Sequence, residues 1–229
     1  AEKAAKSDVL KSFKGFDQDS AIRQIKTYEL KLAMHRGQYA DAKTFVEGAL
    51  KDGETVEVIY NNDGGDNPLY SAIGPNSRDV QVSPSLEAAR TTDAEKNALP
   101  LAHASVDKKN PNRYNIYASG LTRKGSMIIS NDDDIHLIKA ELIVRGIMTG
   151  DAMTEVNKVI GKYDTASQLS TTPTLAQIAE LRRIFLAFRA ERTADIRRGL
   201  EQGSATTTWA SRKIKWLPIP EKELQSQGL

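Results

Sequence analysis

The stretch 133–148 constrains this chain most, because it is apolar on two helical faces. Ile135, Ile138 and Leu142 form one stripe, and Leu137, Ala140, Val144 and Ile147 form another. A helix apolar on two sides belongs between neighbours, not on a surface. Gly150 separates it from a second amphipathic stretch at about 151–162, with Ala152, Val156, Val159 and Ile160 inward. So short a connection predicts an antiparallel helical hairpin. The same plan stands earlier in the chain. Ile22, Ile25, Tyr28, Leu32 and Ala33 recur at helical spacing over 21–36. Gly37 breaks that run, and Tyr39, Ala42, Phe45, Val46, Ala49 and Leu50 continue it to about residue 51. The prediction is a mostly α fold with hairpins at 21–52 and 135–163.

Residues 53–134 differ in character. Short β-leaning runs, Val56–Tyr60 and Val80–Val82, lie among Gly, Asn, Asp and Pro, and NNDGGDNP at Asn61–Pro68 is dense in turn formers. A loop-rich insert with a few short strands is expected, with a short helix near Pro84–Arg90. Further on, Thr174 and Gln177 match a capping box behind Pro173. They predict a long helix over 174–202, running through Leu181, Phe185, Leu186, Phe188 and Ile196. The tail 203–229 contains KIKWLPIP, whose prolines permit extended structure but no central strand. The whole chain, 1–229, reads as one domain, with a loose or weakly helical lead-in before residue 21.

Composition excludes several function classes. The 229 residues include no cysteine, so neither a disulfide scaffold nor a Cys-ligated metal site is open to this chain. No run of 18 apolar residues exists to span a membrane. The chain begins with Ala and has no signal-peptide core, which suggests a processed product. Net charge is +2, with an acidic excess over 51–100 and a basic one over 174–229. Neither amounts to the strongly basic face that nucleic acid requires. His35, His103 and His136 are scattered, and H-E-x-x-H, G-x-S-x-G and P-loop motifs are absent, so no enzyme is expected. Asp132, Asp133 and Asp134 lack the glycine and the later bidentate acid of a calcium loop. They read instead as caps on a helix N-terminus. Arg182, Arg183, Arg189, Arg192, Arg197 and Arg198 spread around a helical axis. They read as structural ion-pair partners, with Arg192 and Asp195 at a spacing that permits pairing.

Two resemblances emerge. RGQYADAKTFVEGAL, within 28–50, looks like a tetratricopeptide hairpin, and IHLIKAELIVRGIMTGDAMTEVNKVIGKY at 135–163 repeats its plan about 100 residues on. That spacing argues against a tandem solenoid. FRAERTADIRR at 188–198, followed by LPIP at 217–220 and EKEL, resembles the end of SusD/RagB-family proteins. The matching positions are Phe188, Arg192, Asp195, Ile196 and Arg198, then Leu217, Pro218 and Pro220. A Pro-Asn-Arg-Tyr segment and a Leu-Ile-Lys-Ala-Glu helix precede them in the family's order.

This resemblance implies a short or truncated member of an outer-membrane nutrient-binding family. Such a protein is non-enzymatic, without cofactor or metal, and surface-exposed or periplasm-facing. It captures oligosaccharides or peptides for a SusC-like TonB-dependent transporter. The family's lipid-bearing cysteine has no counterpart here, so membrane association would pass through a missing anchor or the partner. A sugar ring's C–H face suits a flat aromatic ring with a polar handle. Tyr70, Tyr114, Tyr117 and Trp209, in loop-like segments, are therefore the candidate ligand contacts, whereas Trp216 reads as packing. The rival reading is a structural or assembly subunit whose helical scaffold serves protein–protein contacts without ligand capture.

Overall fold

The computed structural model describes residues 17–60, 65–74, 82–105, 114–189, 191, 194–196 and 198. It is mostly α, with two small antiparallel strand pairs. The first hairpin pairs α1 (Gln18–His35) with α2 (Tyr39–Val46). The insert carries β1 (Thr55–Val58), α3 (Pro68–Ile73), α4 (Pro84–Ala89), α5 (Asp93–Ala98), β2 (Leu101–Ser105), β3 (Tyr114–Ala118) and β4 (Met127–Asn131). The second hairpin pairs α6 (Asp132–Val144) with α7 (Ala152–Tyr163), and α8 (Leu175–Phe185) follows.

The two hairpins turn in the same way. In the first, Gly37 N–H donates to Met34 O at 3.1 Å and Gln38 N–H to Ala33 O at 2.9 Å. In the second, Gly146 N–H donates to Ile143 O and Ile147 N–H to Leu142 O, both at 2.9 Å. This is the Schellman closure, which places the residue after the cap in the left-handed region. Gly37 and Gly146 take it at φ 71° and 72°, where a side chain would be strained.

The two faces of α6 join two cores. Ile135, Ile138 and Leu142 pack with Leu30, Met34, Ala42 and Val46 of the first hairpin. Leu137 and Ala140 pack with Val156, Val159, Ile178, Leu181 and Phe185 of α7 and α8, and with Ala94 of α5. Ile147 departs from its predicted stripe. The helix has already ended at Val144, and the turn swings Ile147 onto the first-hairpin core.

In the insert, β1 pairs antiparallel with β4 and β2 with β3, the first pair with an irregularity between Val56 and Glu57. The helix near Pro84–Arg90 is present, and α3 and α5 add helices where loops were expected. Of the β-leaning run Val80–Val82 only Val82 is among the described residues; it is not in a strand, although its N–H donates to Ile116 O at 2.8 Å.

The expected helix over 174–202 is corrected. The Thr174–Gln177 capping box forms, but α8 ends at Phe185 and the chain turns with Phe188 at φ 67°. Residues 194–196 are helical again. A buried ion pair gives the reason. Arg182 Nε donates to Asp195 Oδ2 at 3.0 Å. In a continuous helix, 13 residues at about 1.5 Å each would put them roughly 20 Å apart. The tail 203–229, with Leu217, Pro218 and Pro220, lies outside the described residues. No helix among the described residues is long and apolar enough to cross a membrane.

Candidate ligand-binding cleft

A cleft of about 360 Å³ opens where the insert meets the end of α8. Its apolar walls come from Leu69 on α3, Leu99 and Pro100 after α5, Ala118 and Leu121 at the end of β3, Met127 and Ile128 on β4, and Ile184, Phe185 and Phe188. Local rules place each wall. Asn67 is fully buried, and its Oδ1 accepts from Leu69 N–H while its Nδ2 donates to Gly125 O, both at 2.9 Å. It thereby caps α3 and ties it to the turn before β4. A capping box between Thr92 and Glu95 starts α5, and Ser119 N–H donates to Pro100 O at 2.9 Å.

The polar groups at the cleft are few. Ser126 and Arg189 line it, but Arg189 Nη1 already donates to Asn131 Oδ1 at 2.5 Å and Asp134 Oδ2 at 3.0 Å. The cleft thus suits an apolar face more than a dense set of hydrogen bonds.

The structure does not gather the sequence-selected aromatics here. Tyr70 belongs to α3, and Tyr114 and Tyr117 to β3, so all three leave the expected loops for regular elements. Tyr117 is in register with Ala102 and Tyr114 with Ser105. Neither Tyr70 nor Tyr117 lines the cleft. Trp209 lies outside the described residues. Tyr70 does have polar company nearby. Asp66 is bound by Arg123 at 2.7 Å and Lys124 at 3.2 Å, and Tyr70 lies close enough to contribute to Arg123's electrostatic surroundings. The Arg123 hydrogen bond, seconded by Lys124, holds the Asp66 carboxyl below its usual range.

Behind the cleft runs a buried charge network, foreseen only as spacing in the sequence. Asp195 bonds Arg182 and Arg198, and Arg198 reaches Glu141 at 2.5 Å. Glu191 accepts from Lys31 at 2.8 Å, contacts His35 at 2.9 Å and lies 3.4 Å from Arg182. Asp132 and Asp133 each pair with Lys162 at 2.7 Å, and Asp134 receives Arg189. With Arg145 on Glu141 at 2.8 Å, six cations face six carboxylates. Burial pushes the Glu141 and Asp195 carboxyls up, but the guanidiniums of Arg182 and Arg198 pull both below their usual values. Burial, helped by Asp133, raises the Tyr163 phenol, which donates to Asp133 Oδ2 at 3.0 Å.

The arginines are therefore structural, as far as they are described. Arg182, Arg189 and Arg198 are ion-paired inside, and Arg183 bonds Glu180 at 3.1 Å. Arg192, the expected partner of Asp195, lies outside the described residues. The equally spaced Arg198 bonds Asp195. The aspartates do cap α6, with Asp134 Oδ2 accepting from Asn131 N–H at 3.1 Å, while also anchoring this network. The histidines are each on a carboxylate: His35 on Glu191, His103 on Glu87 at 2.6 Å and His136 on Glu155 at 2.7 Å. No group of three or more metal-ligating side chains occurs among the described residues.

No family model and no curated protein matches the sequence. Two solved structures do match the fold. Surface glycan-binding protein A from Bacteroides thetaiotaomicron superposes with a TM-score of 0.64 at 18% identity, covering 90% of this chain and 62% of that one. Surface glycan-binding protein A in complex with laminarihexaose gives 0.62 at 19% identity, over 89% of this chain and 62% of that one. This chain spans less than two thirds of the length of those it matches. The helical hairpins, the insert and the folded-back α8 thus share the fold of these two structures.

Proposed function

We propose that this chain is a non-enzymatic, SusD/RagB-like binding protein that captures glycans. The supporting observation is a fold shared over nine tenths of the chain with a protein solved bound to laminarihexaose. In this reading the whole of 1–229 acts as one domain at the outer membrane. It delivers oligosaccharides, or peptides, to a SusC-like TonB-dependent transporter. Tyr70, near the Arg123 that pairs with Asp66, sets a flat ring close to a planar guanidinium, the chemistry a sugar face needs. Tyr117, Tyr114 and Trp209 remain candidate contacts.

Isothermal titration with laminarihexaose tests this. Binding is expected, and Tyr70→Ala or Tyr117→Ala weakens it about tenfold, the loss of roughly 1.4 kcal/mol of ring contact. Undiminished affinity in both variants removes these tyrosines from the site, and no binding by the parent chain to any glucan or peptide tested removes the capture reading.

One observation favours the assembly alternative. Tyr28 and Leu32 on α1 are each 48% exposed, one helical turn apart beside a groove lined by Glu29, Ala33, Arg36 and Phe45. A stoichiometric complex that binds no glycan, and that Leu32→Glu disrupts, decides for that reading.

A further inference from the structure

The sugar contacts proposed above leave the cleft at the end of α8 unused, since neither Tyr70 nor Tyr117 lines it. Its chemistry is narrow. Among the described residues its walls are apolar except for Ser126 and Arg189. Arg189 supplies no free charge, because its side chain is only 9% exposed and its guanidinium is already paired with Asp134 at 3.0 Å. An anion or a cation entering here would lose hydration with no unpaired counter-charge to replace it. The occupant that fits is therefore neutral. Ser126 is exposed, and its hydroxyl can donate or accept one hydrogen bond.

Size and wall composition narrow the occupant further. At about 360 Å³ the space is more than twice the roughly 150 Å³ of an apolar cavity that takes up benzene. That is room for two six-membered rings. Met127 contributes a polarisable thioether to the walls, and Phe185 and Phe188 contribute rings. Both kinds of group gain from contact with an aromatic ring beyond the area they bury. The walls are also set in advance. Phe185 packs on Tyr163 with ring centroids 5.4 Å apart. Phe188 stands at φ 67°, a region a bulky residue holds only where its surroundings enforce it. The bonds of Arg182 to Asp195 and Glu191 close that turn from behind. A wall held in this way spares a small ligand the cost of ordering its site.

We propose that the cleft is a second binding site, for a neutral aromatic molecule of about two rings that carries one hydroxyl or carbonyl group. Such a site is independent of glycan capture, because it needs none of the tyrosines proposed as sugar contacts.

The probe is 2-naphthol, uncharged at neutral pH, added to the full chain labelled with carbon-13 at its methionine methyls. Of Met34, Met127, Met148 and Met153, only Met127 lines the cleft. The Met127 resonance is expected to move saturably, with a Kd of about 0.1–1 mM for a molecule of this size, while the other three stay in place. Ile128→Lys puts a charge on the wall at a side chain that is 39% exposed and in register with Glu57, so the core is untouched. It should weaken binding at least about tenfold, with unmoved Met34 and Met153 resonances showing that the variant is folded. 2-Naphthoate, with the same rings and a carboxylate, should also bind at least about tenfold more weakly, and the saturated analogue 2-decalol several-fold more weakly. Absence of a saturable Met127 shift up to the solubility of the probe overturns the proposal. So do equal shifts at all four methionines, 2-naphthoate or 2-decalol binding as tightly as 2-naphthol, or undiminished binding in folded Ile128→Lys.

Discussion

Replacing Asp195 with Asn keeps the shape of the side chain and removes its charge. The structure makes that charge consequential. Arg182 and Arg198 are 2% and 3% exposed, and both bond the Asp195 carboxylate. Among the described carboxylates, Arg182 then retains only Glu191 at 3.4 Å, and Arg198 retains Glu141 at 2.5 Å. Breaking one partner out of a buried ion pair costs about 3–5 kcal/mol, because a desolvated charge is left uncompensated. For a chain of this size, about 2–4 °C of Tm accompanies each kcal/mol, so Tm should fall by roughly 6–20 °C. The fold-back at Phe188 depends on the same contacts, so the loss should appear as a global shift in stability. Urea unfolding followed by circular dichroism at neutral pH measures it, with Cm lowered and m unchanged. The double variant Asp195→Leu with Arg198→Met removes both charges. It leaves Arg182 with Glu191 and Arg145 with Glu141, and it should recover at least about 2 kcal/mol over the single change. A single-variant loss under about 1 kcal/mol, or a double variant no better than the sum of its parts, refutes the view that the pairing governs this turn.

Acid should unfold the protein through two carboxylates. Burial pushes Glu191 up, yet the His35 hydrogen bond, Lys31 and Arg182 bring it to about 2, and the His136 hydrogen bond takes Glu155 to about 2 despite burial. Both folded values lie below the ordinary 4.5, so their stabilisation is complete above about pH 4.5 and is lost as pH falls toward 2. Unfolding free energies across that interval should decline steeply in the parent chain and less steeply in Glu191→Gln. Gly146→Ala should cost about 1–2 kcal/mol from backbone strain alone, since φ is 72° and an added Cβ meets nothing within 4 Å. A thermal melt checks it, and Gly146→Asn should recover part of the loss.

The sequence by itself determined the helical framework, because a 3.6-residue period and its terminators are local. The two-sided apolar pattern of α6 announced a helix between two layers, and Leu137 and Ile138 do join different cores. The glycines at 37 and 146 and the Thr174–Gln177 box set boundaries through bonds reaching only a few residues. The C-terminal motif pointed to the fold, although its Arg192 and LPIP positions lie outside the described residues. The candidate site was far less legible. Local composition puts Tyr70, Tyr114 and Tyr117 in loops, but strand pairing and an Asn67 cap, both dependent on distant turns, put them in regular elements. The cleft joins walls from α3, β3, β4 and α8, and no local period encodes that meeting. The folded-back end of α8 was likewise beyond sequence reach. Its local signals continue the helix, and only the three-dimensional placement of Arg182, Glu191, Asp195 and Glu141 makes the reversal favourable. Charges buried together must neutralise one another, and which partners meet is decided by the packing of elements far apart in the chain.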